Sequence, residues 1–266
     1  MNIIEAIILG IVQGITEFLP VSSSGHLQIV KALMGVELEE NIAFDLVLHA
    51  GTVCSTILVL FPQIAKITAG VFSRPFNSEQ SYVLKIALSM IPVAIVGFTL
   101  EDSLNVMLSS PYILVIVASM LLITAVLLAY ATCAKPREKE DISFFDSFII
   151  GIAQAIAVMP GISRSGATIA TGLILGNKKE SVAQFSFLMV LVPILGKSLL
   201  SLTGGDAVWN SVGVAPLIAG FLSSFVVGTL ACRFMIDIIK RGRLIWFAYY
   251  CLVAAIFTYV LFFITA

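Results

Sequence analysis

Residues Glu17 to Leu27 read E-F-L-P-V-S-S-S-G-H-L, and they interrupt an almost uncharged apolar run. Before them, Ile3 to Thr16 is broken only by Glu5 and Gln13, and apolar sequence resumes at Ile29. A second interruption, P-G-I-S-R-S-G-A-T from Pro160 to Thr168, has the same serine-glycine character and adds an arginine. How these two joints are read decides the fold.

The chain has 266 residues, 59% of them hydrophobic and only 12% charged, with a mean hydropathy of +1.06. Soluble domains carry about 25% charged residues. Half that charge predicts an integral membrane protein, whose apolar surface meets lipid. No nucleic-acid partner is expected. The four cysteines, Cys54, Cys133, Cys232 and Cys251, have no metal spacing and read as packing residues.

Six apolar segments, at 42–61, 83–100, 112–131, 183–203, 212–235 and 244–265, have about the 20 residues a spanning helix needs. The pieces 1–34 and 144–176 are different. Each is two apolar halves around a joint, and each returns to the side where it began. Loops then alternate between two sides. One side receives Lys66, Arg74, Lys85, Lys135, Arg137, Lys139, Lys178, Lys179, Arg233, Lys240, Arg241 and Arg243. The other has Lys31 alone, with Glu37, Glu39, Glu40, Glu101, Asp102 and Asp206. Lysine and arginine excess marks the cytoplasm. The first joint, both termini and the site are therefore expected to face outside the cytoplasmic membrane.

A shift of 141 positions aligns the two interrupted pairs: Gly10 with Gly151, Gln13 with Gln154, Ser22 with Ser163, Ser24 with Ser165 and Gly25 with Gly166. Three spanning helices between the copies make them enter from opposite faces, which is the inverted repeat of many transporter folds. The expected architecture is an all-α polytopic membrane protein with an inverted-topology repeat: six transmembrane helices plus two re-entrant helix pairs. It forms one integral membrane domain over 1–266, with repeat 1 about 1–131, repeat 2 about 142–266 and a cytoplasmic linker about 132–141.

A helix N-terminus offers unpaired N–H groups and partial positive charge, so each joint suits an anion. Ser22, Ser23, Ser24, Ser163, Ser165 and Thr168 add hydroxyls, while Gly25 and Gly166 allow close backbone approach. Arg164, costly in an apolar segment, needs a partner, and a phosphate fits its planar fork. Plainer readings exist for each piece. The serines cap helices; Arg164 pairs with Glu17 or Asp45; His26 and His49 pack between helices; Asp45 complements a helix dipole; Lys197 snorkels; Gln13 and Gln154 bond across helices. A carboxylate beside a phosphate site holds a divalent cation or acts as a base. That favours phosphoryl chemistry over simple anion binding. A lipid-phosphate transporter or flippase is the competing class, because inverted repeats predict one equally well. A structural scaffold leaves the cost of Arg164 and Glu17 unexplained.

Gln13-x-x-x-Glu17 with Pro20 to His26, followed by Pro160 to Thr168, resembles the undecaprenyl-diphosphate phosphatase family of the bacitracin-resistance type, over essentially the whole chain. The resemblance implies removal of the terminal phosphate of undecaprenyl diphosphate, recycling the lipid carrier for peptidoglycan synthesis. It implies Mg²⁺ or Ca²⁺ dependence, with Glu17 as metal ligand through substrate phosphates, and bacitracin competing by sequestering the substrate. Position 13 is glutamine where some members have glutamate, which concentrates acid-base work on Glu17. Arg164 is expected to clamp the diphosphate, with Gln13, Ser22, Ser24, Gly25, Ser163, Ser165, Gly166 and Thr168 around it. Ser23 is the first choice of nucleophile; His26 as covalent nucleophile and a directly attacking water are the alternatives. A homodimer is compatible with the sequence, which does not fix oligomeric state.

Overall fold

Apolar runs of this length leave the backbone nowhere to bond but within itself, so they become helices. The computed structural model describes residues 1–36, 42–134, 139, 141–196 and 213–265. Among them there is no β-strand, only an isolated bridge between Lys139 and Asn177. In chain order the helices are α1 (Ile3–Phe18), α2 (Ser23–Met34), α3 (Ile42–Val59), α4 (Phe61–Val71), α5 (Ser78–Thr99), α6 (Glu101–Leu108), α7 (Ile113–Cys133), α8 (Phe144–Ile156), α9 (Arg164–Ile174), α10 (Lys179–Met189), α11 (Val214–Arg241) and α12 (Ile245–Thr265). Lys135, Arg137, Lys197, Glu37, Glu39, Glu40, Asp206 and most of the expected linker lie outside the described residues.

Among the described residues five helices are long and apolar enough to cross a membrane: α5, α7, α10 continued to Gly196, α11 and α12. The pair α3 and α4, bent by 76°, makes a sixth if counted as one span. Pro62 falls in the first turn of α4, where its missing N–H costs nothing. The sequence reading differs here. It treats 62–82 and 101–111 as loops, whereas α4 and α6 lie within them. Leucine, phenylalanine and tryptophan side chains stand exposed along α5, α11 and α12, among them Phe98, Leu230, Trp246 and Phe263, as lipid-facing surface requires.

The short pairs α1/α2 and α8/α9 sit inside this frame. Helix α1 packs most extensively on α11, and α8 on α5. Glycines permit these crossings. A Cβ on Gly10 would fall 2.6 Å from the Gly220 carbonyl oxygen, and one on Gly151 2.8 Å from Ser89 Cα. Helices α7 and α12 form a core around Val117, Leu121, Leu128, Cys251 and Ala255. A second core gathers Phe18, Ile169, Phe187 and Met235, with the Phe18 and Phe187 rings edge to face at 5.8 Å.

Candidate active site

Each joint ends one helix and caps the next. Leu19 is extended before Pro20, as the proline ring demands of its predecessor. Ser22 then takes a positive φ of 72° and caps α2, its hydroxyl accepting from the Gly25 N–H at 3.2 Å. Ser163 caps α9 in the same way, accepting from the Gly166 N–H at 3.0 Å. In both joints the capping hydroxyl lies beside the one two residues on: Ser22 to Ser24 at 3.4 Å, Ser163 to Ser165 at 3.3 Å.

The joints also touch each other. A Cβ on Gly25 would lie 3.2 Å from Gly161 Cα, and one on Gly166 would lie 3.2 Å from Pro20 Cβ. Since 161 is 20 plus 141, and 166 is 25 plus 141, these are one contact made twice with partners exchanged. The Ser165 hydroxyl fastens them, donating to the Leu19 carbonyl at 3.1 Å.

Glu17, on the last turn of α1, is the hub. Its side chain is 6% exposed. Oε2 accepts from Ser23 Oγ at 2.7 Å and from Gln13 Nε2 at 2.9 Å. Oε1 accepts from Arg164 Nη2 in an ion pair. The carboxylate of the first joint thus meets the arginine of the second. Burial of so many polar atoms is tolerable because they satisfy one another.

The other expected residues fall around this hub or away from it. Thr168 turns its hydroxyl to the Arg164 carbonyl at 2.9 Å and to Ser186 Oγ at 2.6 Å, which fixes the start of α9. The His26 ring is held elsewhere. Nδ1 donates to the Ser22 carbonyl and Nε2 accepts from the Tyr250 hydroxyl, both at 2.8 Å, and the two rings stack. Gln154, the repeat mate of Gln13, is buried against Met90 Sδ at 3.9 Å. Asp45 does not reach Arg164; both its oxygens take Lys31 Nζ at 2.8 Å, and Lys31 is almost wholly buried.

His49 is in the site, contrary to its reading as a packing residue. Its Nδ1 lies 2.9 Å from Gln13 Nε2 and 3.5 Å from Glu17 Oε2. A signal was present in the sequence: Asp45, His49, Thr52 and Thr56 follow each other at helical spacing, a polar stripe along one face of α3. Beside the hub lies a small pocket, with room for about one water molecule. Its polar end is Glu17, Arg164, Ser165 and Ser186, and its apolar wall includes Phe187, Val190, Leu191 and Ile194.

Among the described residues no three His, Cys, Asp or Glu side chains gather as a protein-only metal cage. The donors at the hub are hard oxygens: the Glu17 carboxylate and Gln13 Oε1, which is buried and without a hydrogen-bond partner. Such a set fits Mg²⁺ or Ca²⁺ when substrate phosphates and water supply the remaining oxygens.

A family profile described as "Bacitracin resistance protein BacA" matches residues 6–257. An undecaprenyl-diphosphatase of Parabacteroides distasonis is 53% identical over 261 residues, covering 97% of each chain. One from Bacteroides fragilis is 52% identical over 263 residues, covering 98% of each. One from Methanosphaera stadtmanae is 36% identical over 278 aligned positions, again 98% of each.

Proposed function

This chain belongs to the bacitracin-resistance family, matched over almost its whole length, and from that premise we propose how the Glu17 hub carries out the family's reaction. The chain hydrolyses undecaprenyl diphosphate to undecaprenyl phosphate and inorganic phosphate. It thereby returns the lipid carrier to peptidoglycan synthesis and gives bacitracin resistance; free bacitracin competes by sequestering the same substrate.

The observation that carries the mechanism is one carboxylate shared by a hydroxyl and a guanidinium from different joints. Before substrate binds, Arg164 neutralises Glu17. A diphosphate offers the guanidinium a bidentate, doubly charged partner and draws it away. Glu17 then becomes a stronger base at the moment the phosphate arrives. Ser23 Oγ gives its proton to Glu17 Oε2 and attacks the terminal phosphorus. The bond to the bridging oxygen breaks, and undecaprenyl phosphate leaves with the electron pair. Undecaprenyl phosphate takes the Glu17 proton as it leaves, so Glu17 can take the proton of the water that then hydrolyses the serine phosphate, and that proton passes to Ser23 Oγ as inorganic phosphate departs. The helix N-termini of α2 and α9 face the developing charge. A divalent cation held by Glu17 and Gln13 Oε1 would neutralise phosphate charge and so ease displacement. His26, with both ring nitrogens committed to Ser22 and Tyr250, braces the joint.

The apolar side chains Phe187, Val190, Leu191 and Ile194 beside the small pocket are the surface along which the prenyl chain would run from its phosphates. The inverted repeat is supported by the exchanged Gly25–Gly161 and Gly166–Pro20 contacts, and by the matching partnerships of α1 with α11 and α8 with α5. The two halves, about 1–131 and 142–266, meet at the hub. The site and both termini face outside the cytoplasmic membrane.

The test is phosphate release from undecaprenyl diphosphate in detergent, where no transport exists. Wild type is expected to release phosphate, a chelator to stop it, and Glu17→Ala and Ser23→Ala each to lose at least about 100-fold in kcat. Near wild-type turnover in Ser23→Ala would sink the serine nucleophile and leave a directly attacking water. No release from wild type would favour a transporter.

A further inference from the structure

We propose that His49 is a positioning residue of this active site: its Nδ1 accepts a hydrogen bond from Gln13 and so aims the Gln13 amide at Glu17. The inference rests on Glu17 being the working carboxylate. Gln13 Nε2 carries two hydrogens and has two neighbours at 2.9 Å, Glu17 Oε2 and His49 Nδ1. Turning the amide over would set its oxygen 2.9 Å from a carboxylate oxygen, which is repulsive. The carboxylate therefore fixes the amide with nitrogen toward it. The second hydrogen then points at Nδ1, which must be an acceptor, and the neutral ring carries its proton on Nε2.

The consequence is a chain of fixed orientations. His49 is anchored on α3, one turn beyond the Asp45–Lys31 pair that ties α3 to α2. Through Gln13 it acts on the oxygen of Glu17 that also receives Ser23. Gln13 is fully buried, so without Nδ1 one amide hydrogen loses its partner. The amide is then held by Glu17 alone, and the Glu17 oxygen facing Ser23 is less firmly directed. Misplacement of a base by a fraction of an ångström slows chemistry more than it weakens binding of a large lipid substrate.

An atom-specific series tests this. Asparagine carries its amide at the level of Nδ1 and can accept there. Leucine fills similar space and cannot. In the detergent phosphatase assay, His49→Leu is expected to lower kcat by about 10- to 100-fold with KM changed less than about threefold, and His49→Asn to restore most of the loss. In a Gln13→Leu background, His49→Leu is expected to add little further loss, because the two residues act as one unit. Wild-type kcat in His49→Leu, equal losses in the leucine and asparagine variants, or full additivity with Gln13→Leu would each overturn the proposal. If His49→Leu aggregates, His49→Ser takes its place against His49→Asn. Glu17→Gln is run alongside. If it keeps full turnover, the reading of Glu17 fails, whatever the His49 series shows.

Discussion

At the scale of single residues, the site pairs two cation types used differently. Lys31 meets both Asp45 oxygens at 2.8 Å as a point charge. In the proposed reaction Arg164 exchanges one anion, Glu17, for another, the substrate, and a planar fork suits both. Arg164→Lys is therefore expected to fold but to lower kcat/KM by about 10- to 100-fold, the equivalent of about 1.5–3 kcal/mol for charge-assisted hydrogen bonds lost. Kinetics in detergent beside an unchanged elution profile would check this; a variant within about twofold of wild type would mean that charge alone suffices. Glu17, Ser23, Arg164 and Gln13 are legible in the sequence because polar groups inside apolar runs are costly and invite a reason. His49 is not, since a lone histidine on an apolar helix has a cheap explanation and Gln13 is 36 residues away. His26, set in the conspicuous joint, draws the eye, yet its ring is spent on Ser22 and Tyr250. Tyr250 lies 224 positions on, beyond any local pattern.

At the scale of helices, position in the joints is set by how closely α1 can approach α11. Gly10 and Gly14 on one side face Gly220, Ser224 and Gly228 on the other, each set spaced by four. A Cβ at Gly14 would lie 2.8 Å from the Gly228 nitrogen and 2.9 Å from the Ser224 carbonyl oxygen. Small residues at such spacing let backbones pack in membranes, where no hydrophobic drive pulls helices together. Gly14→Leu is expected to force the helices apart at a cost of about 1–3 kcal/mol or more, and to move Gln13 and Glu17 with them. Its melting transition in detergent should fall by several degrees and its activity with it. Gly97 has nothing within 4 Å of an added Cβ, so Gly97→Ala serves as control and should leave both unchanged. If Gly14→Leu matched that control, the crossing would not be what holds the site. The existence of both broken pairs can be read from composition, since a proline, clustered hydroxyls and a charged side chain fall together inside each apolar run. The 76° break between Val59 and Phe61 cannot, because a single proline after a long apolar run fits an ordinary helix end as well.

At the scale of the whole molecule, orientation follows from where the basic residues gather. Lys139 pairs its backbone with Gly176 and Lys178, so the segments around 139 and 177 lie together. Lys240 reaches Glu180 at 3.4 Å, which brings the end of α11 to the start of α10. Lys85 sits over the Phe144 ring and Tyr82 meets Phe185, which adds the start of α5 to the same end. Four loop regions separated by up to about 160 residues therefore share one basic face, as the alternation of loops requires. The opposite face joins Tyr112 to Phe262 near the C-terminus and holds Asp102. The proposed orientation puts the basic face in the cytoplasm, with Asp102 expected outside and Asp141 inside. Both are exposed, and each can be replaced by cysteine in a chain whose exposed Cys54 and Cys133 are first made alanine. A membrane-impermeant maleimide applied to intact cells should label Asp102→Cys and spare Asp141→Cys until the cells are broken. The reverse pattern would turn the protein over, placing both termini in the cytoplasm and opening the Glu17 hub to substrate from that side.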